Sequence, residues 1–452
     1  MNINEYKNYY FIGIGGIGMS ALARYFKMSG KNVMGYDKTE TELTLKLVSE
    51  DISISYFDDV SKIPSMFSQE NSLIVYTPAV PKDLQILNFF SNNGFEVQKR
   101  SKVLGLLTQN TFSICIAGTH GKTTTSTLLG HLFKYANMPS TAFIGGISEN
   151  YQSNFIFNGT EISIIEADEF DRSFLTLSPD IACITSTDAD HLDIYGEKEN
   201  LVKSFQDFAA LIDKNGLLFV KKGLDIHTQH FTYSVEEIAD YHAENIKITV
   251  EYISFDLHTP TEIITDFQLP LPGRHNVENA TVALAIALNK GIDKDILKQA
   301  LKEFKGIKRR FSRTTFENGK VLIDDYAHHP TELKAVLRAV RNLYPGKKLL
   351  TVFQPHLFTR TRDFAEDFAK SLENTDSLIL LDIYPARELQ IEGITSEWLC
   401  EKIQLQNKKV CTLQNTVEEV QKQEFDILLI VGAGNIDTIV EPLKKQCEEK
   451  TN

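Results

Sequence analysis

Cysteine is scarce in this sequence. The five that occur, Cys115, Cys183, Cys400, Cys411 and Cys447, are scattered through 452 residues, and no two form a CxxC pair. An odd, dispersed set excludes a disulfide framework and a four-cysteine zinc site, and it fits a reducing compartment. Long apolar runs are lacking as well: nothing approaches about 18 uninterrupted hydrophobic residues, so no segment is expected to span or insert into a membrane. The first residues, MNINEYKNYYFIGIGG, lack the basic head, apolar run and small-residue cleavage site of a secretion signal. Positive charge is in deficit. With 47 basic against 60 acidic residues the net charge is −13, so no overall positive field exists to gather nucleic acid. Internal repeats and low-complexity linkers are absent too. These absences leave a soluble cytoplasmic enzyme with small-molecule partners as the expectation.

What is present is the composition of a globular protein, 42% hydrophobic and 24% charged. A chain of 452 residues suffices for about three domains at roughly 100–200 residues each. Short runs rich in Ile, Val, Phe and Tyr alternate with helical patterns throughout, which predicts an α/β fold on largely parallel sheets. YYFIGI (9–14) reads as a strand, 17–30 as a helix, and KNVMGY (31–36) and SLIVY (72–76) as further strands. The pattern restarts at FSICIAG (112–118). It restarts again near 307, with KVLIDDY, KKLLTVF, DSLILLDIY and FDILLIVGAG as successive strand candidates. Domains are accordingly expected at 1–108, 109–306 and 307–452.

The strongest chemical signal is Gly118-Thr119-His120-Gly121-Lys122-Thr123-Thr124-Thr125, placed after a buried strand and opening a helix. Glycines let the backbone curl so that its N–H groups face phosphate oxygens. The helix N-terminus adds positive potential, Lys122 reaches the terminal phosphates, and the next hydroxyl can sit on Mg²⁺. A complete GxxxxGK[ST] loop would carry glycine at 116, where Ile116 stands, so the loop is a variant. Two acidic groups follow later strands: Glu166, Asp168, Glu169 and Asp171, then Asp188, Asp190, His191 and Asp193. Carboxylates at the ends of parallel strands beside a phosphate loop are placed as Mg²⁺ ligands, and a histidine ligand would let Mn²⁺ substitute.

A second glycine turn, Gly13-Ile14-Gly15-Gly16-Ile17-Gly18, follows the first strand, and Asp37 closes the second. Such a turn recognises a pyrophosphate and the acid a ribose, in dinucleotides and UDP-sugars alike. The second half carries Gly273-Arg274-His275-Asn276-Val277-Glu278-Asn279 at a helix start and Arg309-Arg310-Phe311. It also carries Asp324-Asp325-Tyr326-Ala327-His328-His329-Pro330 and Phe353-Gln354-Pro355-His356-Leu357-Phe358-Thr359-Arg360, both behind strands. Two phosphate-binding loops fit poorly with simple hydrolysis. They fit activation of one substrate by ATP while a second nucleotide serves recognition.

FIGIGGIGMSALA, GTHGKTTT, EADE, DADHLD, GRHNVENA, RRF, DDYAHHPTE and FQPHLFTRTRDF occur in this order between residues 11 and 364, and the likeness they carry extends over about residues 9–440. The ordered set resembles the Mur ligase family, and within it the alanine-adding branch. The resemblance implies a Rossmann-like domain for the UDP-substrate, a central P-loop ATPase-like domain and a C-terminal Rossmann-like domain for the amino acid. It implies ATP-dependent, ADP-forming ligation of L-alanine to UDP-N-acetylmuramate through an acyl phosphate. ATP would be held by Gly118, Thr119, His120, Gly121, Lys122, Thr123 and Thr124, with His275, Asn276 and Asn279 at adenine, Arg310 near phosphate and Asp325 near ribose. Thr123, Glu166 and His191 would hold Mg²⁺. Gly13, Gly15, Gly16, Gly18 and Asp37 would take the UDP part. Tyr326, His328, His356 and Arg360 would form the amino-acid pocket, with His356 and His328 as alternative general bases and solvent as a third.

The chain departs from the family pattern at Leu357, where many relatives carry arginine, which shifts carboxylate binding toward Arg360. Competing readings are a recycling ligase that adds murein tripeptide to UDP-N-acetylmuramate and a folylpolyglutamate-synthase-like ligase. Beyond these stands an NAD-dependent oxidoreductase or nucleotide-sensing regulator, which would leave the GKTTT segment idle.

Overall fold

The computed structural model describes residues 3–190, 192–386 and 388–449. Three sheets carry the chain. The first has the order Ser53–Ser55, Asn32–Tyr36, Asn8–Ile12, Ser72–Tyr76, Glu96–Lys99, with every neighbouring pair parallel. All five residues of Asn8–Ile12 are buried, as a central parallel strand covered on both faces requires. Successive side chains point to opposite faces: Tyr9 stacks on Phe26 of the helix Ile17–Met28, while Tyr10 meets Phe67 and Phe90 on the other side. The chain leaves this strand into the glycine turn, beside the neighbour Ser72–Tyr76. There the strand order switches direction, which is where such sheets bind ligands.

The second sheet has ten strands, ordered Ile263–Leu269, Ile253–His258, Tyr241–Ile248, Phe231–Val235, Leu217–Lys221, Ile181–Ile184, Phe112–Ala117, Ile162–Ala167, Ser140–Ser148, Ser153–Phe157. Its middle is parallel, and Ser153–Phe157 pairs antiparallel with Ser140–Ser148. The phosphate loop leaves the C-terminal end of Phe112–Ala117 between two parallel neighbours. Residues 166–169 and 185–188 therefore emerge at the same end.

The first sheet and most of the second belong to one compact unit, residues 1–245, 255–268 and 278–304. Within it the helix Ile17–Met28 lies on the hairpin Ser140–Ser148/Ser153–Phe157. Buried Asn154 donates to the Ile17 carbonyl (2.5 Å) and Ser20 Oγ (2.9 Å), and accepts from Arg24. The second unit, residues 246–254, 269–277 and 305–452, holds the third sheet. Its order is Ser312–Thr315, Val321–Asp325, Ile427–Val431, Leu349–Phe353, Ser377–Leu381, Lys408–Cys411, parallel except for the first pair. Among the described residues no helix is long and apolar enough to cross a membrane.

Candidate active site

The segment 118–125 forms a curled loop capped onto a helix. Gly118 sits at φ +135°, and a Cβ there would meet the backbone N of Ser186 at 2.8 Å, so only glycine allows the curl. The loop is laced to the strand end beside it: Thr119 N–H donates to Ser186 O (3.1 Å) and Thr119 Oγ1 to Ser186 Oγ (2.8 Å). His120 faces Asp188 at 3.4 Å. Gly121 caps the helix Lys122–Tyr135 without a side-chain cap, which leaves first-turn N–H groups for an anion. Asn279 comes up against Gly121 and accepts from Thr125 Oγ1 (3.3 Å).

Lys122 folds back over this curl. Its ammonium donates to Gly118 O (2.6 Å) and pairs with Glu169 (2.7 Å), whose side chain is fully buried. Burial works against the charged lysine, but the Glu169, Asp168 and Glu166 carboxylates outweigh it and hold the pKa above the ordinary lysine value. The lysine therefore stays a cation wherever the loop meets a phosphate.

Beside it Thr123 Oγ1 donates to Glu166 Oε1 (2.8 Å), and Gly145 N–H donates to Glu166 Oε2 (2.7 Å). Gly145 lies where the register of Ser140–Ser148 slips against its partner, and a Cβ there would strike the Glu166 carboxylate at 2.7 Å. The bulge aims a backbone donor at the acid. The hydroxyl and carboxylate oxygens stand as two neighbouring ligands of one octahedral Mg²⁺ would, about 2.9 Å apart for bonds near 2.05 Å. This all-oxygen donor pair fits that ion. His191 lies outside the described residues.

The glycine turn is built by backbone bonds from Gly13 N–H and Ile14 N–H to Tyr36 O (2.8 and 3.0 Å). Gly16 precedes the helix Ile17–Met28 with no side-chain cap, so this helix too offers N–H groups. Asp37 Oδ2 accepts from Gly15 N–H (2.7 Å) and Oδ1 from Thr39 N–H (3.2 Å). Its carboxylate thus pins the turn. A cavity of about 260 Å³ starts at Gly16 and Gly18, passes Thr77 and Arg100, and ends at Gly145, Glu166 and Asp168.

The second unit carries a separate cluster behind Val321–Asp325 and Leu349–Phe353. Asp325 accepts from Phe311 N–H (2.7 Å) and Ala327 N–H (2.8 Å). Burial pushes its carboxyl up to about 6, against the lowering pull of the Arg310 guanidinium. Arg310 and Arg309 both stand over the Tyr326 ring, at 5.2 and 5.1 Å. Tyr326 contacts His328 edge-on (5.3 Å), His328 contacts His356 (5.7 Å), and Arg360 donates to His356 Nδ1 (3.3 Å). The four residues of the expected amino-acid pocket therefore adjoin one another. Glu332 reaches His328 (3.3 Å) and Arg310 (3.8 Å), and Tyr384 stacks under His356. Leu357 adopts φ +71°, a strained setting that turns the chain from His356 into the helix Phe358–Asp363.

The two imidazoles differ in tautomer. Nδ1 of His328 faces Tyr326 O at 3.0 Å, which only an N–H satisfies, so its basic nitrogen is Nε2. Nδ1 of His356 receives Arg360, so in the neutral ring Nε2 carries the proton. His329 instead caps the helix Pro330–Leu343 through Thr331 N–H.

Asp324, beside Asp325, is also pushed up to about 6, chiefly by burial, which Arg309 at 3.7 Å offsets only in part. Asp324 thus stabilises the fold below its ordinary value of 3.8, and that contribution is lost as pH rises through about 6. Asp324→Asn has no such titration. Its stability relative to the parent should rise by on the order of 2 kcal/mol between about pH 4 and about pH 7. Urea denaturation at each pH checks this, and a pH-independent difference would show that Asp324 ionises normally.

Three family models together match most of the chain. The profile of the Mur ligase family catalytic domain matches residues 8–111, that of the Mur ligase middle domain 116–287, and that of the Mur ligase, glutamate ligase domain 309–434. The chain belongs to the Mur ligase family. Among Mur ligases it is 53% identical to the UDP-N-acetylmuramate--L-alanine ligase of Christiangramia forsetii, over 98% of each chain. It is 50% identical to the enzyme of that name from Flavobacterium psychrophilum, over the full length of both. The crystal structure of the UDP-N-acetylmuramate-alanine ligase MurC of Thermotoga maritima superposes with a TM-score of 0.81 at 25% identity, over 98% of this chain and 100% of that one. The expected α/β class on largely parallel sheets is borne out by the family and by this likeness.

As a Mur ligase site, the arrangement includes groups that sequence reasoning passed over. Arg100 reaches the glycine turn from the helix Arg100–Thr108, and no motif flags it. Gly145 was signalled by the pair Gly145-Gly146 inside a strand pattern, a mark of a bulge or close approach. His275 and Asn276 open the helix Arg274–Asn289, where Asn276 Nδ2 donates to Pro272 O (2.7 Å).

Proposed function

We propose that the chain is an ADP-forming ligase that joins L-alanine to the lactyl carboxylate of UDP-N-acetylmuramate, using ATP with Mg²⁺. One observation carries the reading: a single cavity has the pyrophosphate-type glycine turn at one end and Glu166, braced by Thr123, at the other. A nucleotide-sugar held by its pyrophosphate at Gly16, Gly18 and Arg100 would present its acid toward the groups that handle phosphate. The names borne by relatives at 53% and 50% identity supply the choice of sugar acid and amino acid.

Phosphoryl transfer onto a carboxylate brings anions together, so catalysis is mostly charge neutralisation and positioning. The loop amides from Gly118 to Thr124 cradle the triphosphate, Asn279 supports the loop, and Lys122 meets the migrating phosphoryl. Thr123 and Glu166 would hold Mg²⁺, which supplies further neutralisation of the phosphate oxygens. The product of this step is an acyl phosphate, and the amine of alanine displaces phosphate from it.

The amino-acid half of the reaction is assigned to the second unit. His328 takes the amine proton at Nε2, Arg360 pairs with the alanine carboxylate, and His356 donates from its Nε2–H. Arg310 and Asp325 serve the nucleotide. His328→Gln should lower turnover about 10²- to 10⁴-fold, the range for loss of a general base. His356→Gln keeps a donor and should cost less. Equal losses, or an unchanged acidic limb of the pH–rate profile in His328→Gln, would remove the base from His328. The reaction itself is tested by incubating the chain with ATP, Mg²⁺, UDP-N-acetylmuramate and either L-alanine or murein tripeptide. ADP release with a product mass for alanine addition is expected, and preference for the tripeptide would overturn the choice of amine.

A further inference from the structure

Away from these groups, the strand Tyr241–Ile248 carries His242 and Glu244 two residues apart, hence on one face, and its neighbour Ile253–His258 ends in His258. Among the described residues this is the one place where three side chains of metal-ligating type converge, with ligand atoms all within 4.8 Å of one another. We propose that His242, Glu244 and His258 form a binding site for a zinc-class divalent cation, distinct from the Mg²⁺ site of the ligase reaction.

Three features support it. His258 Nε2 and Glu244 Oε2 lie 3.1 Å apart, close to the roughly 3.3 Å that separates two tetrahedral ligands with bonds of 2.0–2.1 Å. The His242 and His258 rings lie face to face, 4.4 Å apart at 23°, which sets the imidazoles side by side, and a turn of one ring about its side-chain torsions brings both in-plane lone pairs onto a shared ion. Finally, His242 Nδ1 meets the Ala239 carbonyl at 3.0 Å. The carbonyl is the nearer partner, since Ala239 N–H stands 3.5 Å from the same nitrogen, and it favours the tautomer with N–H at Nδ1 and the lone pair on Nε2, the backbone bracing typical of metal-binding histidines.

The donor set selects the ion. Two imidazole nitrogens and one carboxylate oxygen are poor ligands for Mg²⁺ or Ca²⁺ and suit Zn²⁺, or Cu²⁺ where it is available. Glu244 is half exposed, so water can complete a fourth position. Because the ligands come from two neighbouring strands, the ion would clip the outer part of the ten-stranded sheet rather than take part in ligation.

The test uses the full chain in excess Mg²⁺ under a phosphine reductant, titrated with Zn²⁺ against a chromophoric chelator. The parent should take up one tight equivalent, and His242→Gln/His258→Gln should bind it about 100-fold more weakly or not at all. X-ray absorption should show nitrogen and oxygen neighbours at about 2.0–2.1 Å and no sulfur. Ligase turnover with Mg²⁺–ATP should be unchanged in the double variant, which also reports that it folds. If it does not fold, Glu244→Gln, a change at a half-exposed side chain, should still weaken Zn²⁺ about tenfold. The proposal is overturned by a parent without a tight equivalent, which would leave a stacked histidine pair with an ion-paired glutamate. A variant that keeps the equivalent, or sulfur in the coordination shell, would also overturn it.

Discussion

Lys122→Met is expected to lower ligase turnover by about three orders of magnitude or more while UDP-N-acetylmuramate affinity stays within a few-fold. The ammonium is held charged by three carboxylates and lies over the curl of the phosphate loop, so it acts on the transferring phosphoryl and not on the sugar nucleotide. The substitution has a second consequence, because it leaves the buried Glu169 carboxylate without its cation. Breaking such a pair from one side costs about 3–5 kcal/mol, enough to confuse lost chemistry with lost fold. Lys122→Met/Glu169→Gln removes the stranded charge and should recover most of that stability without recovering turnover. Denaturation and ADP release on both variants separate the two effects. Parental turnover in the double variant would mean that Lys122 only balances Glu169, and loss of UDP-substrate binding in either would mean the lysine is misplaced.

Glu169 also shows how far the sequence could be read. It stands in the acidic string 166–171 and suggested metal or phosphate chemistry, and in the fold its side chain pairs with the loop lysine, 47 residues away. Pairings of that kind are fixed by the parallel alignment of Phe112–Ala117 with Ile162–Ala167, which no local pattern encodes. The buried parallel strands were legible because both faces are covered, which makes them continuous apolar runs: Ser72–Tyr76, Phe112–Ala117, Leu349–Phe353 and Ile427–Val431 stand where the hydrophobic pattern put them. The strands from Phe231 to Leu269 were not. Ile253–His258 alternates buried with half-buried residues and carries His and Asp, the pattern of a sheet face open to water, and it lacks the apolar density that marked the others. In the second unit the string DDYAHHP divides by structure: His328 joins the side-chain cluster while His329 is spent on a helix cap. Adjacent identical residues gave no hint of that division. Asp37 is a similar case, since its place at a strand end was visible but its bond to Gly15 N–H needed the folded turn.

Glu166→Gln should be nearly as damaging as loss of the lysine, with turnover down by about two to three orders of magnitude and half-saturation by Mg²⁺ raised about tenfold or more. The substitution separates charge from scaffold. A glutamine can still accept from Gly145 N–H through Oε1, and its Nε2–H can donate to Thr123 once that hydroxyl rotates, so both bonds seen at 2.7 and 2.8 Å have replacements. Stability should therefore stay close to the parent while the negative charge facing the cavity is gone. If Glu166 served only to brace the bulge at Gly145, glutamine would serve as well, and turnover and Mg²⁺ dependence would both remain parental. A fall in turnover that excess Mg²⁺ restores places the loss at metal binding. A fall that persists at saturation places it at the phosphoryl step. Thr123→Val completes the comparison by removing the hydroxyl and keeping the charge: it should raise the Mg²⁺ requirement by less than Glu166→Gln does, because the carboxylate contributes charge as well as an oxygen.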